Sequence, residues 1–291
     1  MTETHSRSVL LSAYLSLTKP GLVFMLVMTT FVGFYLGAIG NMDLTLLAHT
    51  LFGTTLAAGG TLALNQYMEH ENDALMERTR KRPIPAGILT PRQAVWFGIG
   101  VTVGGLAYLA LLVNVLSCVV TGAITVTYLF FYTPLKLRTT LSTIAGAIPG
   151  ALPPVTGWAA ARGDIGLEAL VLFGIMFLWQ LPHALALAWL FKEDYEKGGF
   201  YLLPIVDPDG RATSFQIFIN CLALTAVSLT PSIIGITGQL YFFSALIAGL
   251  VFLGYAVRLT IRRSREAARS LFFVSLIYLL VDFALMAIDK R

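Results

Sequence analysis

The feature that most constrains this chain is the recurrence, from about residue 20 to residue 288, of apolar segments roughly twenty residues long. Each is long enough to cross a bilayer as a helix, and none shows the short alternation of a membrane β-barrel strand. The predicted spans are 20–39, 44–69, 93–113, 115–133, 142–161, 167–190, 213–234, 239–257 and 270–288. Only 12% of the residues are charged, about half the share of a soluble domain. The expected fold class is therefore an all-α membrane protein of nine transmembrane helices around a central cavity. A cytoplasmic N-terminal segment (1–19) precedes a single polytopic domain (20–288) and a short tail (289–291). No signal peptide is expected, because the polar start lacks a cleavable apolar core and the first span itself directs insertion.

Charge sets the orientation. With nine spans, seventeen of the twenty Lys and Arg residues fall on the side of the N-terminus, and only Arg162, Lys290 and Arg291 on the other. The positive-inside rule makes the N-terminal side cytoplasmic. The loops there are long and polar, and those opposite are short and nearly uncharged, so function is expected on the inner face. The net charge of +4 is modest, and no nucleic-acid partner is expected. Cys118 and Cys221 have neither CxxC spacing nor a nearby His, which suits small buried apolar residues. Asp282 is the one acid deep in the last three spans, where an interior partner is expected.

The second span ends in an unusual run, Asn65-Gln-Tyr-Met-Glu69-His-Glu-Asn-Asp73, followed by Glu77-Arg78-Thr-Arg80-Lys81-Arg82-Pro83. On a continuing helix Asn65, Glu69 and Asp73 stand four residues apart. Each step of four turns the helix by about 400°, so the three drift by only about 80° and form one stripe rising about 6 Å per step. Glu77 continues the same register. An amide oxygen and two carboxylates are hard ligands of the kind Mg²⁺ takes together with substrate phosphates. The basic cluster that follows can hold the rest of a diphosphate. Asn65 lies about two turns inside the apolar segment, where a polar group is costly without a partner, so the stripe is not simply a solvated helix end.

Asn-x-x-x-Glu-x-x-x-Asp at this place resembles the first acidic motif of the UbiA superfamily of intramembrane prenyltransferases, with Glu69 at a position usually held by Asp. Further segments are similar to its heme-farnesylating branch. These are Leu17-Thr18-Lys19-Pro20, Met76-Glu77-Arg78-Thr79-Arg80, Tyr132-Thr133-Pro134-Leu135-Lys136, the small-residue run Gly146 to Gly157 with Pro153-Pro154, and Trp179-Gln180-Leu181-Pro182-His183. The resemblance covers the chain from about Tyr14 to the end of the last span. It implies transfer of a farnesyl group from farnesyl diphosphate to the vinyl group of heme B, with addition of water, giving heme O and diphosphate. It implies Mg²⁺ as cofactor, held through Asn65, Glu69 and Asp73. Arg78, Arg82, Lys136 and Arg138 are the candidate diphosphate ligands. The implied setting is a bacterial plasma membrane, with heme A synthase or oxidase assembly proteins as further partners.

Pro182 predicts a kink that presents the imidazole of His183 in the membrane. It is read either as a histidine hydrogen-bonded within the bundle or as a heme-binding group that orients or ligates the iron or serves as an acid-base near the porphyrin. His70, beside the stripe, is the competing candidate, whereas His5 and His49 are expected at the surface. The family's second acidic motif is incomplete, since Gly198 stands four residues after Asp194; Glu193, Asp194 and Glu196 remain as sources of a second metal ligand or a base. Gly198-Gly199 and Asp207-Pro-Asp-Gly210 suggest a cap over the site that keeps water from an allylic cation. Two alternatives stay open: a related prenyltransferase with another acceptor, such as an aromatic acid or a chlorophyllide, and a membrane transporter using the stripe as an ion site.

Overall fold

Four helix starts among the described residues fall where a side chain can close them. Asp43 accepts hydrogen bonds from the amides of Thr45 and Leu46 and so starts a helix at Leu44. Thr90 and Gln93 form a reciprocal capping box with Pro91 between them, which sets the start two residues before the predicted one. Asn114 and Ser264 cap two further starts. The computed structural model describes residues 7–291, so His5 lies outside the described residues. Within the segment expected to precede the membrane domain, residues Arg7–Leu17 form a helix of their own, α1.

The remaining helices follow in chain order. They are α2 (Pro20–Gly37), α3 (Leu44–Met68), α4 (His70–Leu75), α5 (Pro91–Leu112) and α6 (Val115–Val126), which runs through a π-helical turn, Thr127–Tyr132, into α7 (Thr133–Leu135). Then come α8 (Ser142–Ala151), α9 (Pro153–Arg162), α10 (Leu167–Leu190), α11 (Lys192–Lys197), α12 (Leu203–Val206) and α13 (Arg211–Val227). The short α14 (Thr230–Ile233), α15 (Gln239–Arg262) and α16 (Arg265–Ile288) complete the chain. Among the described residues, eight helical stretches are long and apolar enough to cross a membrane. The expected span 142–161 is the exception, because it is divided at Leu152 between α8 and α9. Pro153 and Pro154 have no N–H, so the carbonyls of Pro149 and Gly150 lose their helical donors there. Leu152 itself stays helical.

Large apolar side chains such as Leu111, Phe130, Ile261 and Ile288 point outward, the reverse of a soluble surface and the pattern of a lipid-facing bundle. The chain is an integral membrane protein. Its helices pack closely where both faces are small. A Cβ on Gly157 of α9 would sit 1.9 Å from the Thr30 carbonyl of α2, and one on Gly33 would meet the Pro154 carbonyl. Gly60 and Gly105 do the same between α3 and α5. Asp282 is fully buried and accepts from the Tyr241 hydroxyl at 3.0 Å, the interior partner expected of it. Cys221 is buried, while Cys118 is only half-buried.

Candidate active site

A cavity of about 290 Å³ opens among α2, α3, α6 with its π turn, α8 and α10, at the lower end of the size of small-molecule pockets, roughly 300 Å³. On α3 its wall is Thr54, Ala58 and Thr61. Asn65, Glu69 and Asp73 follow Thr61 at steps of four, so the stripe continues the cavity wall towards one end of the bundle. The α3 helix ends at Met68, but the Asp73 amide still donates to the Glu69 carbonyl at 2.8 Å, and the Glu69 amide to the Asn65 carbonyl at 3.0 Å. That ladder keeps the three side chains in register through α4. The helix stops at Met76, whose backbone is extended, so the expected continuation to Glu77 is not realised. Glu77 turns to the surface with its side chain 77% exposed, and its amide donates to Asp194.

All three stripe residues are buried, at 1%, 6% and 1% exposure in chain order. Each oxygen donor is matched by one cation. Lys19 Nζ donates to Asn65 Oδ1 at 2.9 Å, Lys136 Nζ pairs with Glu69 Oε1, and Arg82 Nη1 donates to Asp73 Oδ2 at 2.6 Å. Burial works to raise the Glu69 carboxyl, but Lys136 and Lys19 outweigh it and hold it below the usual carboxylate range. Burial likewise opposes the charge on Lys136, and Glu69 overrides it, lifting the ammonium above its ordinary value. Lys19 has no carboxylate of its own; burial, then Arg82, push it down to about 7.

Local sequence explains each placement. Lys19 sits in a left-handed turn between α1 and α2, with Pro20 at the next position. Gln66 fixes that turn by donating to the carbonyls of Ser16 and Leu17, and Gly59 leaves room for Thr18. Asn65 Nδ2 donates to Thr133 Oγ1 at 3.1 Å, which orients the amide so that its oxygen faces Lys19. Thr133 follows the π turn; its amide donates to the Tyr128 carbonyl, five residues back. Such turns are frequent at functional sites because the extra residue re-aims the side chains after it. Here it brings Tyr128 and Tyr132 to the cavity and Lys136 to Glu69.

Of the sequence candidates, Asn65, Glu69, Asp73, Arg82 and Lys136 come together. Arg78 lies over the rings of Phe191 and Tyr195, with its Nε 4.0 Å from Asp194. Asp194 is thus engaged in docking the loop after α10, and among the described residues no group of three or more His, Cys, Asp and Glu can hold a metal. Arg138 is exposed. His183 lines the cavity on α10, which passes through Pro182 as one 24-residue helix. His70 is directed elsewhere: its Nδ1 meets the Tyr67 carbonyl and its ring stacks on the exposed Tyr67. His49, expected at the surface, is half-buried and bonded to the Tyr108 hydroxyl. Sequence reasoning missed Lys19 and Thr133, although both stand in motifs already singled out. The loop expected as a cap does cover this end. Tyr195 and Leu202 line the cavity, Asn72 donates to the Gly198 carbonyl, and the Tyr201 amide donates to the Lys136 carbonyl.

The model of the UbiA prenyltransferase family matches residues 26–277. The chain belongs to the UbiA prenyltransferase family. A protoheme IX farnesyltransferase of Solibacter usitatus is 44% identical over 286 residues, covering 95% of this chain and 98% of the relative. Solved UbiA-type folds agree. A digeranylgeranylglyceryl phosphate synthase superposes with a TM-score of 0.81 at 16% identity, over 96% of this chain and 98% of that one. A UbiA homolog from Archaeoglobus fulgidus, solved with GPP and Mg²⁺, gives 0.66 at 15% identity, over 94% and 99%. The donor set here, two carboxylates and an amide oxygen beside three cations, suits a hard divalent ion with a diphosphate. Arg82 and Lys136 balance the two carboxylates, and Lys19, whose charge burial disfavours, is the further cation beside them.

Proposed function

We propose that this UbiA-family enzyme transfers a farnesyl group from farnesyl diphosphate to a vinyl carbon of protoheme IX, with addition of water, releasing diphosphate and heme O. The observation that carries the reading is the one-to-one pairing of three buried oxygen donors with three cations, Lys136 buried and Lys19 and Arg82 half-buried, at the end of an apolar cavity. The acceptor and the prenyl length rest on the relative's name and on the Trp179-Gln180-Leu181-Pro182-His183 segment.

Asn65, Glu69 and Asp73 would hold Mg²⁺, which supplies Lewis-acid stabilisation of the departing diphosphate. Lys19, Arg82 and Lys136 each donate to one of those oxygens in this structure and are the nearest cations for the diphosphate oxygens. Their fixed positions stabilise the charge that grows as the allylic C–O bond breaks. Arg78 and Arg138 are candidates at the rim. The farnesyl chain would occupy the cavity, whose wall includes Tyr128 and Tyr132. The vinyl π electrons form the new C–C bond to C1 of that chain. Water then adds to the carbocation left beside the porphyrin ring and loses a proton. The docked loop after α10 keeps bulk water from the earlier cation.

The basic residues around this end support a cytoplasmic active site in a bacterial plasma membrane. The transporter alternative has no observation in its favour. The one span divided midway, at Leu152, carries no charged residue between 142 and 161, where a transporter's ion site would belong. The test is mass spectrometry of hemes after incubating purified protein with heme B, farnesyl diphosphate and Mg²⁺. The expected product is heavier than heme B by farnesyl plus water and absent with EDTA. Prenylation of a small aromatic acceptor in place of heme would overturn the acceptor.

A further inference from the structure

Two side chains of the Trp179–His183 segment dock on the same residue of α16. Ser275 is fully buried. Trp179 Nε1 donates to its carbonyl at 2.7 Å, and one turn later His183 Nδ1 lies 2.8 Å from its hydroxyl. The imidazole is also held between two rings, with Trp179 at 4.9 Å and Phe272 at 4.8 Å between centroids. It therefore has little freedom to turn.

The protons can be assigned from the partners. Ser275 Oγ is 2.6 Å from the Phe272 carbonyl oxygen. A carbonyl only accepts, so the single hydroxyl proton of Ser275 is committed to it. What the hydroxyl offers His183 is a lone pair, and Nδ1 must carry the hydrogen that bridges them. A neutral imidazole has one N–H, so Nε2 is left with a bare lone pair. The Nδ1 edge is turned to α16, and His183 also lines the cavity.

We infer that Ser275 is a positioning residue that fixes His183 as the Nδ1–H tautomer, presenting an unprotonated Nε2 to the cavity as a ligand for the iron of a porphyrin acceptor. The tautomer follows from the hydrogen bonds alone; the identity of the acceptor rests on the function proposed above. A histidine bound to a metal through one nitrogen and held by an oxygen acceptor at the other is oriented and made more basic by that second contact. With Trp179 and Phe272 setting the ring plane, the iron–nitrogen direction is fixed relative to α10, and so is the porphyrin that carries the reacting vinyl group.

The test has two parts. First, nitrogen-15 NMR of histidine-labelled protein without porphyrin, with His183→Gln subtracted, reads the tautomer directly. The wild type and Ser275→Thr are expected to show protonated Nδ1 and bare Nε2, and Ser275→Ala a mixture. Second, titration with ferric protoporphyrin IX is expected to give a Soret and EPR signature that His183→Gln abolishes. Affinity should fall on the order of tenfold in Ser275→Ala and return in Ser275→Thr. A wild-type His183 protonated on Nε2, or a Ser275→Ala variant with unchanged tautomer and affinity, overturns the positioning role whatever the acceptor is. The expected tautomer in a protein that binds no porphyrin overturns the iron-ligand role and the heme acceptor together, and is distinguished from a failed positioning role by the first measurement.

Discussion

At the scale of single residues the site is a set of paired charges, and Lys19 is the member whose role is easiest to isolate. It meets an amide oxygen rather than a carboxylate, and burial with Arg82 beside it disfavours its charge in the ligand-free protein. A diphosphate arriving there relieves that strain, so Lys19 is expected to act mainly on the donor. Lys19→Met should lower kcat/KM for farnesyl diphosphate on the order of a hundredfold. Its thermal stability should change little, because the lost bond to Asn65 Oδ1 is offset by removal of a half-buried cation whose charge is disfavoured in the ligand-free protein. Unchanged kcat/KM for the donor would place Lys19 outside the chemistry. The stripe itself was legible in the sequence because Asn65, Glu69 and Asp73 share one helical register. Lys19 was not, because its approach to Asn65 depends on a left-handed turn held by Gln66 and Gly59, contacts some forty to fifty residues away in the chain.

At the scale of elements, helix positions were readable from apolar run length, since lipid allows little else. The ends were not. α15 and α16 continue to Arg262 and from Arg265, beyond the expected limits of 257 and 270, because arginine stems extend past the apolar core. The π turn was also hidden. It depends on Thr133 bonding back five residues to Tyr128, while Pro134 has no N–H to offer the Phe130 carbonyl. Close helix crossings make a sharper test of the packing. Gly157→Ala places a methyl 1.9 Å from the Thr30 carbonyl and 2.6 Å from the Phe34 amide, so α2 and α9 must separate. It should cost about 1–3 kcal/mol, read as a lower midpoint of thermal unfolding in detergent. Gly122 has open space around its missing Cβ, and Gly122→Ala is expected to be neutral or stabilising by up to about 1 kcal/mol. Equal midpoints for the two variants would contradict the crossing.

At the scale of the whole molecule, the bundle is tied at the end opposite the active site. Lys290 Nζ donates to the carbonyls of Tyr35 and Ala38 at 2.5 and 2.7 Å, closing the end of α2, and lies over the Tyr35 ring. Its neighbour Asp289 accepts from the Tyr241 amide at the start of α15. One short segment thus joins the first spanning helix to the last two. Lys290→Met should lower stability by about 1–2 kcal/mol, the value of a cation at a partly buried helix C-terminus. Prenyl transfer should be unaffected, and thermal unfolding beside an activity assay reads both. No sequence pattern marked this tie, since a basic residue after a last span reads only as a topology signal.

Asn65, Glu69 and Asp73 are proposed to hold one divalent ion together with the prenyl diphosphate. Mn²⁺ in place of Mg²⁺ makes that ion visible by EPR. Titration of the purified protein with Mn²⁺, with and without a non-hydrolysable farnesyl diphosphate analogue, is the measurement to make. One tightly held ion per chain is expected when the analogue is present, lost in Asp73→Asn while the variant keeps its helical content. Tight Mn²⁺ binding that survives Asp73→Asn, or that ignores the analogue, would contradict a shared metal–diphosphate site on this stripe.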